Sequence, residues 1–332
     1  MSERKVDGGE LKVDGQNAGA AAINHQPSTT NLPRLSPNQR AWRRFRKNRP
    51  AVFSLWFLLL VGLFVLVYPL FSPFRPEQLS DAQFQPPNGQ HWLGTDVHGR
   101  DLLVRLCHGA QISLMVGLFG ASVCLIIGVS WGALAGYVGG RLDGGMMRVV
   151  DILYSMPSII LAVVFMAVLE PMIKHWLAAV HVPNLAATAR VLVLFVALGS
   201  VSWLTMARIV RGQVLSLRSR AFVEASRSLG AGPLRILSRH IIPNILGVVI
   251  VYLTLSVPAI VLYESFLSFL GIGIQPPMAS WGSLIAEGAD QMNPLRIYWW
   301  LLVFPGGVLV TTLLALNFLG DGLRDAWDVR GN

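Results

Sequence analysis

The chain has 332 residues, of which 53% are hydrophobic and only 14% charged, with a mean hydropathy of +0.53. Soluble domains carry about 25% charged residues, so a soluble globular domain is excluded, as is a wholly disordered chain. With 2 Cys a disulfide scaffold is excluded too, and a net charge of +9 needs another reading than nucleic acid.

That reading comes from where the charge lies. Ten of the 27 basic residues fall in the first fifty positions, and seven more lie between Arg208 and Arg239. Basic residues beside apolar stretches mark the cytoplasmic loops of polytopic membrane proteins. Residues 1–38 are rich in Gly, Asn, Ser, Thr and Asp without apolar periodicity, which predicts a disordered cytoplasmic tail. Residues 39–50 form a basic juxtamembrane segment containing Arg40, Arg43, Arg44, Arg46, Lys47 and Arg49. Each such charge near membrane lipid headgroups contributes about 1 kcal/mol, though topogenic charge alone is the expected role.

A helix needs about 20 apolar residues to cross the hydrocarbon. Six stretches free of Asp, Glu, Lys and Arg reach or approach that length: 51–72, 111–137, 152–169, 191–207, 245–263 and 297–320. The first is too long and bulky for a signal peptide and is followed by no small-residue cleavage site, so it is expected to remain as a span. The expected fold is an all-α polytopic membrane protein with six transmembrane helices. Segments 73–110, 170–190 and 264–296 are poor in basic residues and are expected outside. Both termini, including residues 321–332, are then cytoplasmic.

The outer segment 73–110 holds His91, Asp96, His98 and Asp101, but with no ligand motif, so no metal is expected. Cys107 and Cys124 are too far apart along a helix to pair. In the second span Gly128, Gly132 and Gly136 recur every four residues, continuing a stripe from Gly117 and Ala121. Small residues at this spacing let helix backbones approach closely. Packing inside this bundle is the expectation; contact with a second membrane subunit is the alternative.

Between the fourth and fifth spans, residues 219–244 read as a helix-turn-helix. Ser219 is the expected N-cap, Phe222 to Leu229 the first helix, and Gly230 the positive-φ residue that ends it. Gly232 and Pro233 open the second helix, and Ile242, Pro243 and Asn244 are expected to break it. Phe222, Ala225 and Leu229 fall at spacings of three and four, a face suited to docking a cytoplasmic partner. Further on, Glu264 is an acid at the end of the fifth span. A buried carboxylate is costly without partners. Hydrogen bonding to neighbouring helices is its expected role and direct substrate contact the alternative. An ion-coupled secondary transporter would show several midplane acids and inverted repeats, and neither is evident.

These motifs carry a resemblance. Glu224-Ala225-Ser226, then Gly230, then His240 and Ile242-Pro243, resemble the EAA loop of membrane subunits of binding-protein-dependent ABC importers. Ser226, His240 and Ile242 stand where that pattern has alanine, isoleucine and leucine. The segments His91-Trp92-Leu93-Gly94-Thr95-Asp96, Leu267-Ser268-Phe269-Leu270-Gly271, Ser280-Trp281-Gly282 and Gly320-Asp321-Gly322-Leu323-Arg324-Asp325 are similar to the dipeptide/oligopeptide permease branch, the type with an extra first span.

The resemblance implies a type I importer-like permease core at 111–320 with cytoplasmic coupling helices. It implies a second related permease, two ATP-binding subunits that hold ATP and Mg, and an extracytoplasmic substrate-binding protein. The setting is the bacterial cytoplasmic (inner) membrane. This chain would bind no cofactor and catalyse nothing. Phe222, Glu224, Ala225, Ser226, Leu229, Gly230, His240 and Pro243 become candidate ATPase-coupling residues. Glu264 and Trp281 become candidates for the path or for helix packing. Peptides are the expected cargo, with nickel complexes, glutathione or sugars as alternatives.

Overall fold

The computed structural model describes residues 37–179 and 186–327. The disordered tail expected at 1–38 lies almost wholly outside them, as do residues 328–332. Six helices are long and apolar enough to cross a membrane, and no strand occurs among the described residues.

The chain opens with α1 (Pro37–Phe45), whose Ala41 and Phe45 are buried while Arg40, Arg43 and Arg46 stay exposed. The first span, α2 (Arg49–Phe71), starts at Asn48, whose side chain accepts the Ala51 N–H. An irregular segment then leads to α3 (Leu102–Val138), N-capped by Asp101, which accepts from the Val104 N–H at 2.9 Å. Gly139, at φ +71°, ends it, and α4 (Gly140–Tyr154) follows. Next come α5 (Ser158–Ala179) and α6 (Ala186–Arg218). The loop after α6 holds α7 (Ala221–Ser228) and α8 (Pro233–Ile236). A π-helical turn, Leu237–Ile241, joins α8 to α9 (Ile242–Phe269). The short α10 (Trp281–Asp290) and the last span, α11 (Trp300–Trp327), complete the chain.

α6 is the centre of the bundle: 67% of its apolar window is buried, against 17–39% for the other spans. The glycine stripe of α3 explains why. A Cβ on Gly128 would stand 2.6 Å from Met206 Cβ, one on Gly136 2.8 Å from the Arg211 carbonyl, and one on Gly132 would collide with the Ala207 carbonyl. The stripe therefore lets α3 lie backbone-to-backbone on α6 within this chain, and the second-subunit alternative does not apply to these glycines. Gly117, farther along the same helix, meets Val261 of α9 instead.

Several boundaries depart from the sequence expectation. The second span begins nine residues early, because Asp101 caps the helix at Leu102 and Arg105 is buried inside it with partners of its own. Of the residues expected in the third span before Ser158, 152–154 belong to α4 and 155–157 form the turn between the helices. The Ile242-Pro243-Asn244 break does not occur. The Ile242 N–H reaches back five residues to the Leu237 carbonyl, and this widened turn carries Pro243 into α9 without interrupting the helix. Residues 321–327 are not a tail but the last turns of α11.

Candidate functional site

α7 hangs at one end of the bundle on a single anchor, Val223, which is buried in the main core cluster. Around it the apolar residues point away from the protein: Phe222 is 42% exposed, Leu229 88% and Leu234 81%. Glu224 lies in the first turn, where the helix N-terminus favours an anion, and its carboxylate has no ion-pair partner among the described residues. Ala225 is exposed beside it, and Ser226 turns its hydroxyl back onto the Phe222 carbonyl at 2.8 Å.

The helix stops at Gly230, at φ +81°, where the Ala231 N–H donates to the Ser226 carbonyl at 3.1 Å. That six-to-one bond needs a left-handed residue next to it. A side chain on Gly230 would meet nothing within 4 Å, so the glycine is required by conformation and not by space. The N-cap is Arg220 and not Ser219, and its side chain makes no capping bond. His240 is half-buried on the π turn and Pro243 is exposed in the first turn of α9. The structure thus gathers Phe222, Glu224, Ala225, Ser226, Leu229 and Gly230 on one small element, with His240 and Pro243 on the next.

Glu264 is fully buried. Its carboxylate accepts from Ser113 Oγ of α3 at 2.8 Å, from Ser268 Oγ at 2.7 Å and from Ser265 Oγ at 3.4 Å. Ser113 Oγ in turn accepts the Trp281 N–H at 3.3 Å, and Ser268 Oγ accepts the Ile274 N–H at 2.9 Å. One acid therefore ties α3, α9 and the start of α10 together. Trp281 is equally buried. Neither residue lines an open surface of this chain, and the contacts they make are those of helix packing.

The polar residues of the irregular segment form an ionic clasp. Asp96 accepts from Arg100 Nε at 2.7 Å and Arg105 Nη1 at 2.6 Å. Arg105, only 3% exposed, also grips Glu287 of α10 with two bonds of 2.6 and 2.9 Å. His91 Nδ1 meets Asp101 at 2.8 Å. Arg105 and Glu287 were not singled out from the sequence; 182 positions separate them, and a lone arginine at the edge of an apolar run signals nothing about its partner.

A cavity of about 440 Å³ opens between α5, α6 and α9, with Tyr154 at the end of α4 on its edge. Its lining contains Ser158, Ser202, Thr205, Tyr252, Ser256 and Tyr263 among apolar residues.

Residues 128–330 match the family model described as the binding-protein-dependent transport system inner membrane component. Residues 36–87 match the N-terminal transmembrane domain of oligopeptide transport permease C. The chain is 44% identical to the oligopeptide transport system permease protein OppC of Haemophilus influenzae, over 87% of this chain and 88% of the relative. It is 40% identical to the dipeptide transport system permease protein DppC of Bacillus subtilis, over 92% and 89%. Among solved structures, the inward-facing MetNI methionine ABC transporter superposes with a TM-score of 0.50 at 21% identity, covering 68% of this chain and 97% of that one. This likeness shows a shared fold, the type I importer permease fold.

Proposed function

The chain belongs to the family of binding-protein-dependent transport system inner membrane components, and from that premise we propose that it is one permease subunit of an ATP-driven importer of dipeptides or oligopeptides. Members of this family are not enzymes; ATP hydrolysis belongs to partner subunits. The partners are a second related permease, two ATPases that hold ATP and Mg, and an extracytoplasmic binding protein. This chain itself needs no cofactor.

The observation that carries the reading is α7: a glycine-terminated element with exposed apolar side chains and a carboxylate without an ion-pair partner among the described residues, attached to the bundle by one buried valine. On this reading the α7 end faces the cytoplasm and docks an ATPase. Phe222 and Leu229 fill an apolar socket, while Glu224 makes a charge-assisted bond to a basic residue. The cavity between α5, α6 and α9 is this chain's half of the path. Nucleotide moves the membrane subunits only because the ATP-bound motor favours one of their two arrangements over the other.

Purification from native membranes tests this. Two ATPases and a sister permease should co-elute, and liposomes holding the complex and its binding protein should accumulate a labelled tripeptide only with ATP. Cysteines at Gln85 and Met292 should label from outside intact cells, and one at Ser228 should not. A lone homo-oligomer, or uptake driven by an ion gradient without ATP, overturns the reading.

A further inference from the structure

We propose that α1 is an anchor for acidic phospholipids: Arg40, Arg43 and Arg46 bind their phosphate headgroups where the first span enters the bilayer. This goes beyond the importer reading and does not depend on which cargo moves. The basic run alone predicts topogenic charge, which acts while the chain inserts and needs no folded element to carry it. Here the run is built into a helix.

α1 lays Ala41 and Phe45 on Ala51 of α2 and Ala326 of α11, with Leu323 and Trp327 of α11 packed around them. A Cβ on Gly322 would collide with Ala51, and one on Gly247 would stand 2.7 Å from the Trp327 ring. The starts of α2 and α9 and the last turns of α11 therefore meet here, and α1 is fixed to them by its apolar side. Only Arg46, Lys47 and Asn48 separate it from α2, so it lies beside the first turn of a membrane span.

The charge lies outside that contact. Arg40, Arg43, Arg46, Lys47 and Arg49 are exposed, and none of these has an ion-pair partner among the described residues. The acids in the adjoining turns of α11 do not compensate them: Asp325 takes the Asn48 amide at 3.4 Å, and Asp321 pairs with none of the cations. Such a cluster beside a membrane span attracts anionic headgroups, and the arginine fork fits a phosphate. Trp42 is a second, independent observation. It is 58% exposed and stacks on the buried Phe45 with 5.7 Å between ring centres, where the apolar side of α1 gives way to Arg43. An indole at that boundary is suited to headgroup depth. A protein partner fits less well, because this chain already covers the apolar side of α1 and protein interfaces are built around an apolar centre.

The full-length protein, carrying a fluorophore on Trp42→Cys, is reconstituted into phosphatidylcholine bilayers; Cys107 and Cys124 are buried. Phosphatidylglycerol or phosphatidylcholine with a quenching spin label near the headgroup is then titrated in. Phosphatidylglycerol should reach the same quenching at a mole fraction about tenfold lower. High salt should erase that preference, since it rests on charge. The combined variant Arg40→Gln, Arg43→Gln and Arg46→Gln should bring the two lipids within about twofold, with Lys47 and Arg49 left to hold the topology. Outside labelling of a cysteine at Gln85 reports whether they hold it. Equal quenching by both lipids without these Gln substitutions, a preference that resists salt, or one that survives in the correctly inserted variant overturns the proposal. Quenching by neither lipid overturns it in favour of a protein surface over α1. ATP-driven uptake is measured separately: its absence overturns the importer reading and leaves this result standing.

Discussion

The two ends of the bundle are built on opposite terms. At the α10 end, buried charged groups are partnered within the chain: Arg105 bridges Asp96 and Glu287, His91 pairs with Asp101, and Glu264 collects three serine hydroxyls. At the α7 end, Leu229 and Leu234 are almost bare, Glu224 has no ion-pair partner among the described residues, and one valine does the anchoring. Buried charges that are fully partnered fix one geometry, because any displacement strands a charge. Exposed apolar groups on a lightly held helix have the reverse property: they gain most when something else covers them. One end holds its buried charges through its own chain, and the other presents apolar side chains on a lightly held helix.

That contrast is open to direct attack. The largest effect should come from Arg105→Met, which removes the buried cation and leaves Arg100 as the one remaining ion-pair partner of Asp96 and of the partly exposed Glu287 among the described residues. Removing one partner from such a cluster costs about 3–5 kcal/mol, so detergent-solubilised protein should melt well below the wild type. A melting temperature within a degree or two of the wild type would mean that the clasp holds nothing.

Next in size is Glu264. Glu264→Ala strands the Ser113 and Ser268 hydroxyls and should cost about 1–3 kcal/mol, whereas Glu264→Gln keeps an acceptor and should cost less. Yield of folded protein and its melting temperature rank the two. If both variants assemble equally and both abolish transport, the carboxylate acts in the path after all.

At the other end Gly230→Ala should strain the turn by about 1–2 kcal/mol, because only glycine adopts positive φ freely. Its consequence should be larger for partners than for the fold: the chain inserts and folds, but ATPase association or substrate-stimulated hydrolysis falls. Normal transport by this variant would remove α7 from the coupling role.

The smallest effect concerns the join between α4 and α6. Arg211 donates to Asp143 at 2.5 and 2.7 Å and, against the opposing effect of burial, holds its carboxyl below the usual carboxylate range. A lowered folded-state value means that the pair's contribution is complete above the ordinary carboxylate pKa. It is lost as pH falls through the lowered one. A partly exposed pair is worth less than about 1 kcal/mol, so α4 should exchange its amide hydrogens modestly faster in acid. Asp143→Asn should abolish that pH dependence, and an unchanged profile would assign it elsewhere.

The loop at 219–244 was legible because its signals are local. A glycine that must take positive φ, a proline that opens a helix and apolar residues three and four apart are all read within one turn. The π turn was not legible: nothing in Leu237–Ile241 announces that a five-residue bond will carry Pro243 into a continuous helix. The clasp was hidden for a related reason. His91, Asp96 and Asp101 were visible as a polar group in the sequence, but Arg105 and Glu287, which join that group to α3 and α10, lie on other elements.

The sequence by itself determined that this chain is a six-span membrane protein, since hydrophobic length is additive along the chain and needs no knowledge of neighbours. It also carried the EAA-like loop and the branch motifs that place it in its family. Only the tertiary structure decided which residues meet: that Gly128, Gly132 and Gly136 lie against α6, that Glu264 bonds Ser113, and that Arg105 closes on Glu287. The physical reason is that burying a charge or a hydroxyl is tolerable only with a partner, and the partner is chosen by the fold across more than a hundred residues.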